Sequence, residues 1–334
     1  MDRLRIGTRG SELALFQANA VAELLARRTG VSCDIVVIKT SGDRLADASL
    51  AQIGGKRLFV KEIEDALAAG DVDLAVHSSK DMPALLPGGL QIGAVLPRED
   101  PHDAVVLPSP AGESSGSAHT LRRDGLSMHE VIAELGHAPR IGTSSIRRAA
   151  QLIRLFPGAT FLPVRGNLGT RLRKLDSGEY DALVLAAAGL ARLEREDRIT
   201  ATIPADACVP APGQGIIAVE IRDTDERTGH LLGVIDDADA AAALRSERAV
   251  VTRLGGGCQM PIGALADIAE GELTVRAVVI SPDGQRIVRG SASGSHDEAE
   301  ALGRSVADEL LQGGAGDILA DVQRAHAAVE GIQP

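Results

Sequence analysis

The sequence predicts an α/β protein in which two similar lobes face each other across a cleft and a smaller α+β unit follows. Three observations predict this: strand and helix patterns alternate at the start, the segment Arg5–Ser11 (RIGTRGS) is echoed by Arg140–Ser145 (RIGTSS), and the pattern changes after about residue 235. With 334 residues, the chain is long enough for two or three compact units.

The first lobe begins with a strand over residues 3–8 and a helix over residues 11–28. Ser11 is the expected N-cap of this helix, and Gly30 is the expected stop signal.

A buried strand at Cys33–Lys39 comes next, followed by a helix at Leu58–Ala69 that ends at Gly70. A short strand at Val72–Val76 then leads into the turn His77–Pro83. This order predicts a parallel sheet whose functional groups lie at the carboxyl ends of its strands.

A second echo supports the repeat, because Gly70–His77 (GDVDLAVH) parallels Gly178–Leu185 (GEYDALVL). Lobes of this kind place small-molecule sites in the cleft between them. Chance recurrence of a short strand and turn signature is the alternative interpretation.

Residues 108–127 are rich in Pro, Gly and Ser, and we expect a surface excursion without chemistry. The third unit has an Ala-rich helix at Ala238–Leu254 and a hairpin around Ser281–Gly284. Two more helices are predicted at His296–Leu311 and Ile318–Val329.

The amino-acid composition restricts the kinds of partner that the protein can bind. A net charge of -11 opposes nucleic acid and anionic lipid, and the absence of Trp together with a single Tyr removes base-stacking platforms. The longest apolar stretch, Ala182–Ala191, is too short to span a membrane, and the first residues do not form an export signal. We therefore expect a cytoplasmic protein that grips any bound anion locally.

Cys258 is the most informative residue, because three glycines and a proline in Leu254–Pro261 (LGGGCQMP) expose its thiol on a loop. A cysteine hydrolase is one alternative, but the sequence gives no His and Asn or Asp partners for such a thiol. The eight histidines show no ligand spacing, so we predict that no metal is bound.

Two helix openings are candidate anion sites, one at Ser11 and one at Thr143, Ser144 and Ser145. Arg9 lies beside the first and the pair Arg147 and Arg148 beside the second. Ordinary N-caps with solvated arginines remain the alternative.

The segment Arg165–Lys174 (RGNLGTRLRK) follows a strand, and its Gly-rich turn lets backbone amides approach an anion. Arg173 and Lys174 are equally compatible with an exposed helix stripe. Asp81, at the carboxyl end of a strand, is placed to stabilise cationic intermediates, although it is also compatible with a plain turn aspartate.

Taken together, these residues closely resemble the porphobilinogen deaminase family, also called hydroxymethylbilane synthases. The resemblance spans nearly the whole chain and rests on seven motifs in the family's order, namely Gly7–Ser11, Gly54–Lys56 with Leu58-Phe59, His77–Asp81, Gly142–Arg148, Val164–Asn167 with Gly169–Arg171, Ala211–Gly215 and Gly256–Cys258.

The resemblance implies three domains, of which the first two are like periplasmic binding proteins. Domain 1 comprises residues 1–99 and 210–233, domain 2 residues 100–209, and domain 3 residues 234–334. It also implies a dipyrromethane cofactor joined by a thioether to Cys258. Four porphobilinogen units are condensed onto this primer with loss of ammonia, and hydrolysis then releases hydroxymethylbilane.

The same resemblance assigns the site residues. Asp81 is the catalytic residue; besides Cys258, the cofactor-binding residues are Lys80, Thr143, Ser144, Ser145, Arg147 and Arg148; the substrate-binding residues are Arg9, Ser11, Lys56, Arg165, Arg171 and Arg192. The implied protein is a monomer that hands its product to uroporphyrinogen-III synthase.

The chemistry agrees with these assignments, because each pyrrole carries an acetate and a propionate and guanidiniums bind carboxylates in bidentate fashion. Loss of ammonia from porphobilinogen leaves a cation that a carboxylate stabilises. A two-lobed anion receptor without catalysis is the alternative function.

Overall fold

The computed structural model describes residues 3–44, 60–109, 125–257 and 260–330. Within these residues lie two five-stranded sheets and one three-stranded sheet. The predicted fold class, two α/β lobes and a smaller α+β unit, is confirmed.

The strands, in chain order, are β1 Leu4–Thr8, β2 Cys33–Val37, β3 Leu74–Ser78, β4 Leu90–Val95, β5 Asp103–Val106, β6 Arg140–Gly142, β7 Thr160–Leu162, β8 Ala182–Ala186, β9 Ala201–Ile203, β10 Ile217–Arg222, β11 Ile262–Ala269, β12 Glu272–Ile280 and β13 Ile287–Gly294.

The helices, in chain order, are α1 Glu12–Thr29, α2 Ser41–Arg44, α3 Lys61–Ala69, α4 Met128–Leu135, α5 Ile146–Leu152, α6 Leu168–Asp176, α7 Ala187–Arg192, α8 Glu226–Leu232, α9 Ala238–Arg253, α10 Ala299–Gln312 and α11 Ala315–Glu330.

The two larger sheets have the same topology. The first has the order β2-β1-β3-β10-β4 and the second β7-β6-β8-β5-β9, and in each the fourth strand is antiparallel to both neighbours. The other two pairings in each sheet are parallel. This identity of order explains the repeated sequence motifs.

The chain passes between the two lobes twice. It leaves the first sheet after β4 to enter the second as β5, and it returns after β9 as β10. The connecting segments, residues 96–102 and 204–216, run alongside each other and are linked by the bond from the Glu99 amide to the Gly215 carbonyl, 3.0 Å long. We call these two segments the lobe junction.

Local signals placed the first helix correctly. Ser11 caps α1 by accepting a hydrogen bond from the Ala14 amide, and Gly30 ends it in the left-handed conformation at φ 72°. Gly70 ends α3 in the same way at φ 78°. The predicted start of that helix, residues 58 and 59, lies outside the described residues.

Two strands differ from the prediction. β3 begins and ends two residues later than expected, so His77 and Ser78 belong to the strand and not to the turn. β2 is only half-buried because it lies at the edge of its sheet, whereas the sequence predicted a buried strand. The apolar runs did not reveal either difference, since both depend on the neighbouring strands.

The third unit packs α9, α10 and α11 against a sheet of order β11-β12-β13. The predicted Ala-rich helix and the hairpin between β12 and β13 are confirmed. Strand β11 was not predicted. Among the residues that the structure describes, every helix is too short or too polar to cross a membrane.

Candidate active site

The turn that carries Asp81 is held from several sides. It is a short 3₁₀ helix, Ser79–Asp81, at the carboxyl end of β3. The Ser79 amide donates to the Ile216 carbonyl over 3.0 Å, and the Gln17 amide donates to the Ser78 hydroxyl over 2.8 Å. A close approach to Gly213 fixes the other side of Ser79. The strand and its neighbours therefore determine where Lys80 and Asp81 project.

Behind this turn lies a buried polar pair. His77 on β3 and Glu220 on β10 are both almost inaccessible to solvent, and His77 Nε2 lies 3.1 Å from Glu220 Oε2. This contact ties the last residues of β3 to the neighbouring strand. It gives His77 a structural role.

Asp81 is exposed and faces cations of the second lobe. Burial lowers the pKa of Arg171, and the positive charge of Arg148 lowers it further. Asp81 acts on Arg171 in the opposite direction, while Arg165 adds to the lowering. Arg171 thus interacts electrostatically with one carboxylate of the first lobe and with two further guanidiniums that the sequence predicted as anion ligands.

Lys80 is half-buried between the lobes. Its Nζ lies 3.5 Å from Gln214 Oε1 in the lobe junction. Burial lowers its pKa to about 8, the positive charge of Arg148 contributes in the same direction, and Asp81 opposes the shift. Because burial disfavours the charged form of Lys80, an incoming carboxylate that stabilises this charge is attracted strongly.

Arg147 and Arg148 on α5 are bound by a carboxylate that the sequence did not reveal. Asp103, at the start of β5, is fully buried; its Oδ2 lies 2.8 Å from Arg147 Nη1 and its Oδ1 lies 2.7 Å from Arg148 Nη2. Burial alone would raise the pKa of Asp103, but the two guanidiniums hold it well below its usual range. Asp103 therefore fixes both arginines at the mouth of the cleft.

These two arginines also have partners other than Asp103. Arg147 donates to the Val209 carbonyl over 2.7 Å and contacts the buried thiol of Cys208. Arg148 donates to the Val184 carbonyl over 3.0 Å and to Gln214 Oε1 over 3.4 Å. Neither guanidinium is the open anion site that the sequence suggested; a carboxylate ligand would share them with Asp103.

Arg192, at the end of α7, lies against the lobe junction. Its Nη2 donates to the Gly215 carbonyl over 2.6 Å, and burial lowers its pKa to about 10. Gly215 has φ 88°, and a Cβ there would collide with the Glu99 carbonyl. The structure thus gives this predicted substrate ligand a contact with the lobe junction.

The predicted hydroxyl ligands Thr143, Ser144 and Ser145 form the turn that precedes α5. Ser145 caps α5 by accepting from the Arg148 amide, and Thr143 accepts from the Ser145 amide over 3.2 Å. Ser144 donates to the Val164 carbonyl over 2.8 Å and accepts from the Val164 amide over 3.1 Å. Each hydroxyl is engaged by the backbone, as is Ser11 at the start of α1.

A small cavity lies beneath the turn, and we call it the inner cavity. It measures about 80 Å³ and joins the first lobe, the second lobe and the third unit. Its lining includes Ser79, Lys80, Met82, Ala84, Ser145, Arg147, Ala211, Pro212, Arg248, Val251, Gly257, Met260 and Ile262. Gly257 and Met260 flank positions 258 and 259, which lie outside the described residues, as does Lys56.

Two family models match this chain. The model described as "Porphobilinogen deaminase, dipyromethane cofactor binding domain" matches residues 4–230, and the model described as "Porphobilinogen deaminase, C-terminal domain" matches residues 241–312. The chain belongs to the porphobilinogen deaminase family.

A relative supports this membership. The porphobilinogen deaminase of Syntrophobacter fumaroxidans is 46% identical over 324 residues, which cover 96% of this chain and 98% of that protein.

Solved structures with a similar shape have little sequence in common with the chain. A substrate-binding domain of a putative amino acid ABC transporter from Streptococcus pneumoniae is 11% identical with a TM-score of 0.40, covering 70% of this chain and 92% of that one. An ancestral cationic amino acid solute binding protein is 16% identical with a TM-score of 0.38, covering 70% and 88%.

The residue types that line the inner cavity suit the carboxylates of a dipyrromethane, the group named in the description of the first family model. Lys80, Arg147 and Arg248 supply positive charge for its carboxylates. The buried Ser79 Oγ finds no hydrogen-bond partner among the described residues, so it is available to a bound group. Gly257 at the cavity wall leads directly to the cysteine position.

Sequence reasoning missed Asp103, Gln214, Glu247 and Arg248. Gln214 lies inside a motif that carried the family resemblance, Ala211–Gly215, but no role was assigned to it. Asp103 is an acidic residue at the start of a fully buried strand, and that pattern was the available signal, because a buried carboxylate needs a cation.

Proposed function

We propose that this protein is a hydroxymethylbilane synthase that adds four porphobilinogen molecules to a dipyrromethane primer, releases ammonia at each addition, and finally hydrolyses the product free. The observation that carries the proposal is the position of the Ser79–Asp81 turn at the carboxyl end of β3, where Lys80 Nζ lies 3.5 Å from Gln214 Oε1 in the lobe junction and the charge of Asp81 acts on Arg171 of the second lobe. One acidic group among several cations suits a reaction that forms a cation on a carboxylate-rich substrate.

In this proposal Asp81 handles the charge that appears in each condensation. Loss of ammonia from porphobilinogen leaves a cation, and a carboxylate nearby stabilises it electrostatically. The same carboxylate accepts a hydrogen bond from the pyrrole N–H and receives the proton lost when the new bond forms. Exposure of Asp81 to the cleft gives the substrate access to it.

The cations bind and orient the substrate. Lys80, with its pKa of about 8, and Arg171, whose pKa burial lowers, are both held in charged form at a cost that a bound carboxylate relieves. The acetate and propionate of porphobilinogen would be met in this way, with Arg165 beside them. Arg9, Ser11, Lys56 and Arg192 complete the proposed substrate ligands, and Arg192 also donates to the Gly215 carbonyl.

Cys258 is proposed as the attachment point of the primer. When bound, the dipyrromethane would supply the nucleophilic pyrrole carbon to which the first unit is added, and each later unit would add to the free pyrrole carbon of the unit before it. Thr143, Ser144 and Ser145 form the turn that positions Arg147 and Arg148 toward the primer's carboxylates.

The domain division proposed from the sequence is 1–99 with 210–233, 100–209, and 234–334. Sheet membership supports it, because β10 joins the first sheet and β5 the second. We further propose that the enzyme is cytoplasmic and monomeric and that it passes its product to uroporphyrinogen-III synthase. The anion receptor is not favoured, since membership of a family of enzymes points to catalysis.

A pair of aspartates at opposite ends of the same strand tests the catalytic assignment. We expect Asp81→Ala to reduce kcat for hydroxymethylbilane formation by about 1,000-fold while the unfolding midpoint stays unchanged, because an exposed charge is removed. Asp71→Ala, an exposed aspartate before β3, is the matched control and keeps its activity. Near-normal turnover by Asp81→Ala would refute the role.

A further inference from the structure

A second cavity lies outside the inner cavity and is much larger. It measures about 570 Å³ and runs between the first lobe and the third unit, and we call it the outer groove. Its lining comprises Ala84, Ile92, Gly93, Ala94, Val95, Asp236, Ala241, Leu244, Arg245, Arg248, Ala249, Thr252, Arg253, Glu300 and Arg304.

The two cavities meet at two residues. Ala84 and Arg248 line both of them. Arg248 Nη2 donates to the Ala84 carbonyl over 2.8 Å, so the arginine bridges α9 and the loop that follows Asp81. Ala84 and Arg248 therefore form a part of the wall that the two cavities share.

The outer groove combines an apolar wall with a basic rim. Ile92, Val95 and Leu244 contribute to the wall. Four arginines line the groove, at positions 245, 248, 253 and 304, against the two carboxylates of Asp236 and Glu300.

Both carboxylates are already engaged. Asp236 accepts the Val95 amide over 2.8 Å, and Glu300 pairs with Arg304. Arg253 is bound to Asp308 through Nε. Four arginines thus face three carboxylates, Asp236, Glu300 and Asp308, so the rim keeps a positive charge that favours ligands with carboxylates on apolar rings.

The inner cavity is too small for a growing pyrrole chain, whereas the outer groove has the volume of a small-molecule site. Small-molecule sites usually occupy about 300–1,000 Å³, and the inner cavity at about 80 Å³ lies below this range. A primer that gains four further rings outgrows it. The outer groove, at about 570 Å³, lies within the range.

We propose that the outer groove is a second binding site of this enzyme, which takes the tethered acidic pyrrole rings of the late elongation intermediates as added units displace them past Ala84 and Arg248, while the free end of the chain stays at Asp81. The inference rests on the proposed function. It adds to that function a site between the first lobe and α9, whose rim arginines bind the displaced rings. Helix α9, which lines the groove, ends at Arg253, five residues before Cys258 in the sequence.

Charge reversal at the rim tests the proposal. Holoenzyme is mixed with a limited supply of porphobilinogen, quenched with acid, and analysed by intact-mass spectrometry, which counts the units added to each chain. We expect Arg245→Glu and Arg304→Glu, each made alone, to reduce the fraction of chains carrying three or four added units by roughly fivefold, the upper end for one exposed ion pair. Chains with one added unit accumulate correspondingly.

Arg28→Glu is the matched control, because this exposed arginine at the end of α1 is far from both cavities and carries the same change of charge. A second variant, Thr252→Trp, fills the groove from an exposed position without changing its charge, and it should shift the adducts in the same direction.

The outcomes separate the two proposals. If wild-type protein adds units while the rim variants and Thr252→Trp give the same adduct distribution as Arg28→Glu, the outer groove plays no part in elongation and this inference is overturned. If wild-type protein adds no units at all, the proposed function itself fails.

Discussion

Arg98 Nη1 lies 2.6 Å from Glu247 Oε1, and this contact joins the lobe junction to helix α9. The Glu247 side chain is fully buried. It also accepts the Gly213 amide over 2.6 Å and the Ala266 amide over 2.7 Å. One carboxylate thereby connects the junction of the two lobes with the sheet of the third unit.

Loss of this carboxylate should destabilise the protein strongly. Glu247→Ala leaves the largely buried Arg98 and two amides without their acceptor, and we expect the free energy of unfolding to fall by about 3 kcal/mol. Urea unfolding measures the change. Lys61→Ala, which removes an exposed pair with Asp65, should change the value by less than about 1 kcal/mol. Equal effects of the two substitutions would contradict this view of the junction.

Asp103 should make a comparable contribution that depends on pH. Asp103→Asn leaves two buried guanidiniums without their counter-charge, so we expect a loss of about 3 kcal/mol at pH 7. Because the pKa of Asp103 is lowered in the folded protein, its contribution is fully present above about pH 4 and declines as the pH falls below that value.

Urea unfolding of both proteins at neutral and acid pH checks this. The difference between wild type and Asp103→Asn should shrink in acid. A difference that stays constant down to about pH 2.5 would show that the paired carboxylate is not its source.

The Lys80 ammonium predicts a pH limit for substrate binding. As the pH rises through about 8, Lys80 loses its proton and its attraction for carboxylates, so kcat/KM for porphobilinogen should fall. In Lys80→Arg the guanidinium stays charged, and the fall should move to higher pH. Lys61→Arg, at an exposed position, should leave the profile unchanged. A profile with the same midpoint in wild type and Lys80→Arg would assign the titration to another group.

The local features of the fold could be predicted from the sequence. Ser11 and Gly30 marked both ends of α1, and the echo of Arg5–Ser11 at Arg140–Ser145 predicted two lobes that prove to have the same strand order. These signals succeed because caps and turn residues act on the few residues around them.

Local signals of this kind could not predict the long-range contacts of the site. Asp103 meets Arg148 across 45 residues and Gln214 across 111, and the crossing of β5 and β10 between the sheets is what brings them together. Nothing in the neighbourhood of either residue encodes that crossing. The family resemblance supplied Asp81, Lys80 and the arginines of the cleft, but not the carboxylate that holds two of those arginines.

The mass of the intact purified protein tests the proposed chemistry most directly. The proposal requires wild-type protein to exceed its polypeptide mass by one dipyrromethane, and Cys258→Ser, folded as judged by circular dichroism, to lack this increment. Wild-type protein that shows its polypeptide mass alone, or an increment that persists in Cys258→Ser, would contradict the assignment of a primer attached to that sulfur.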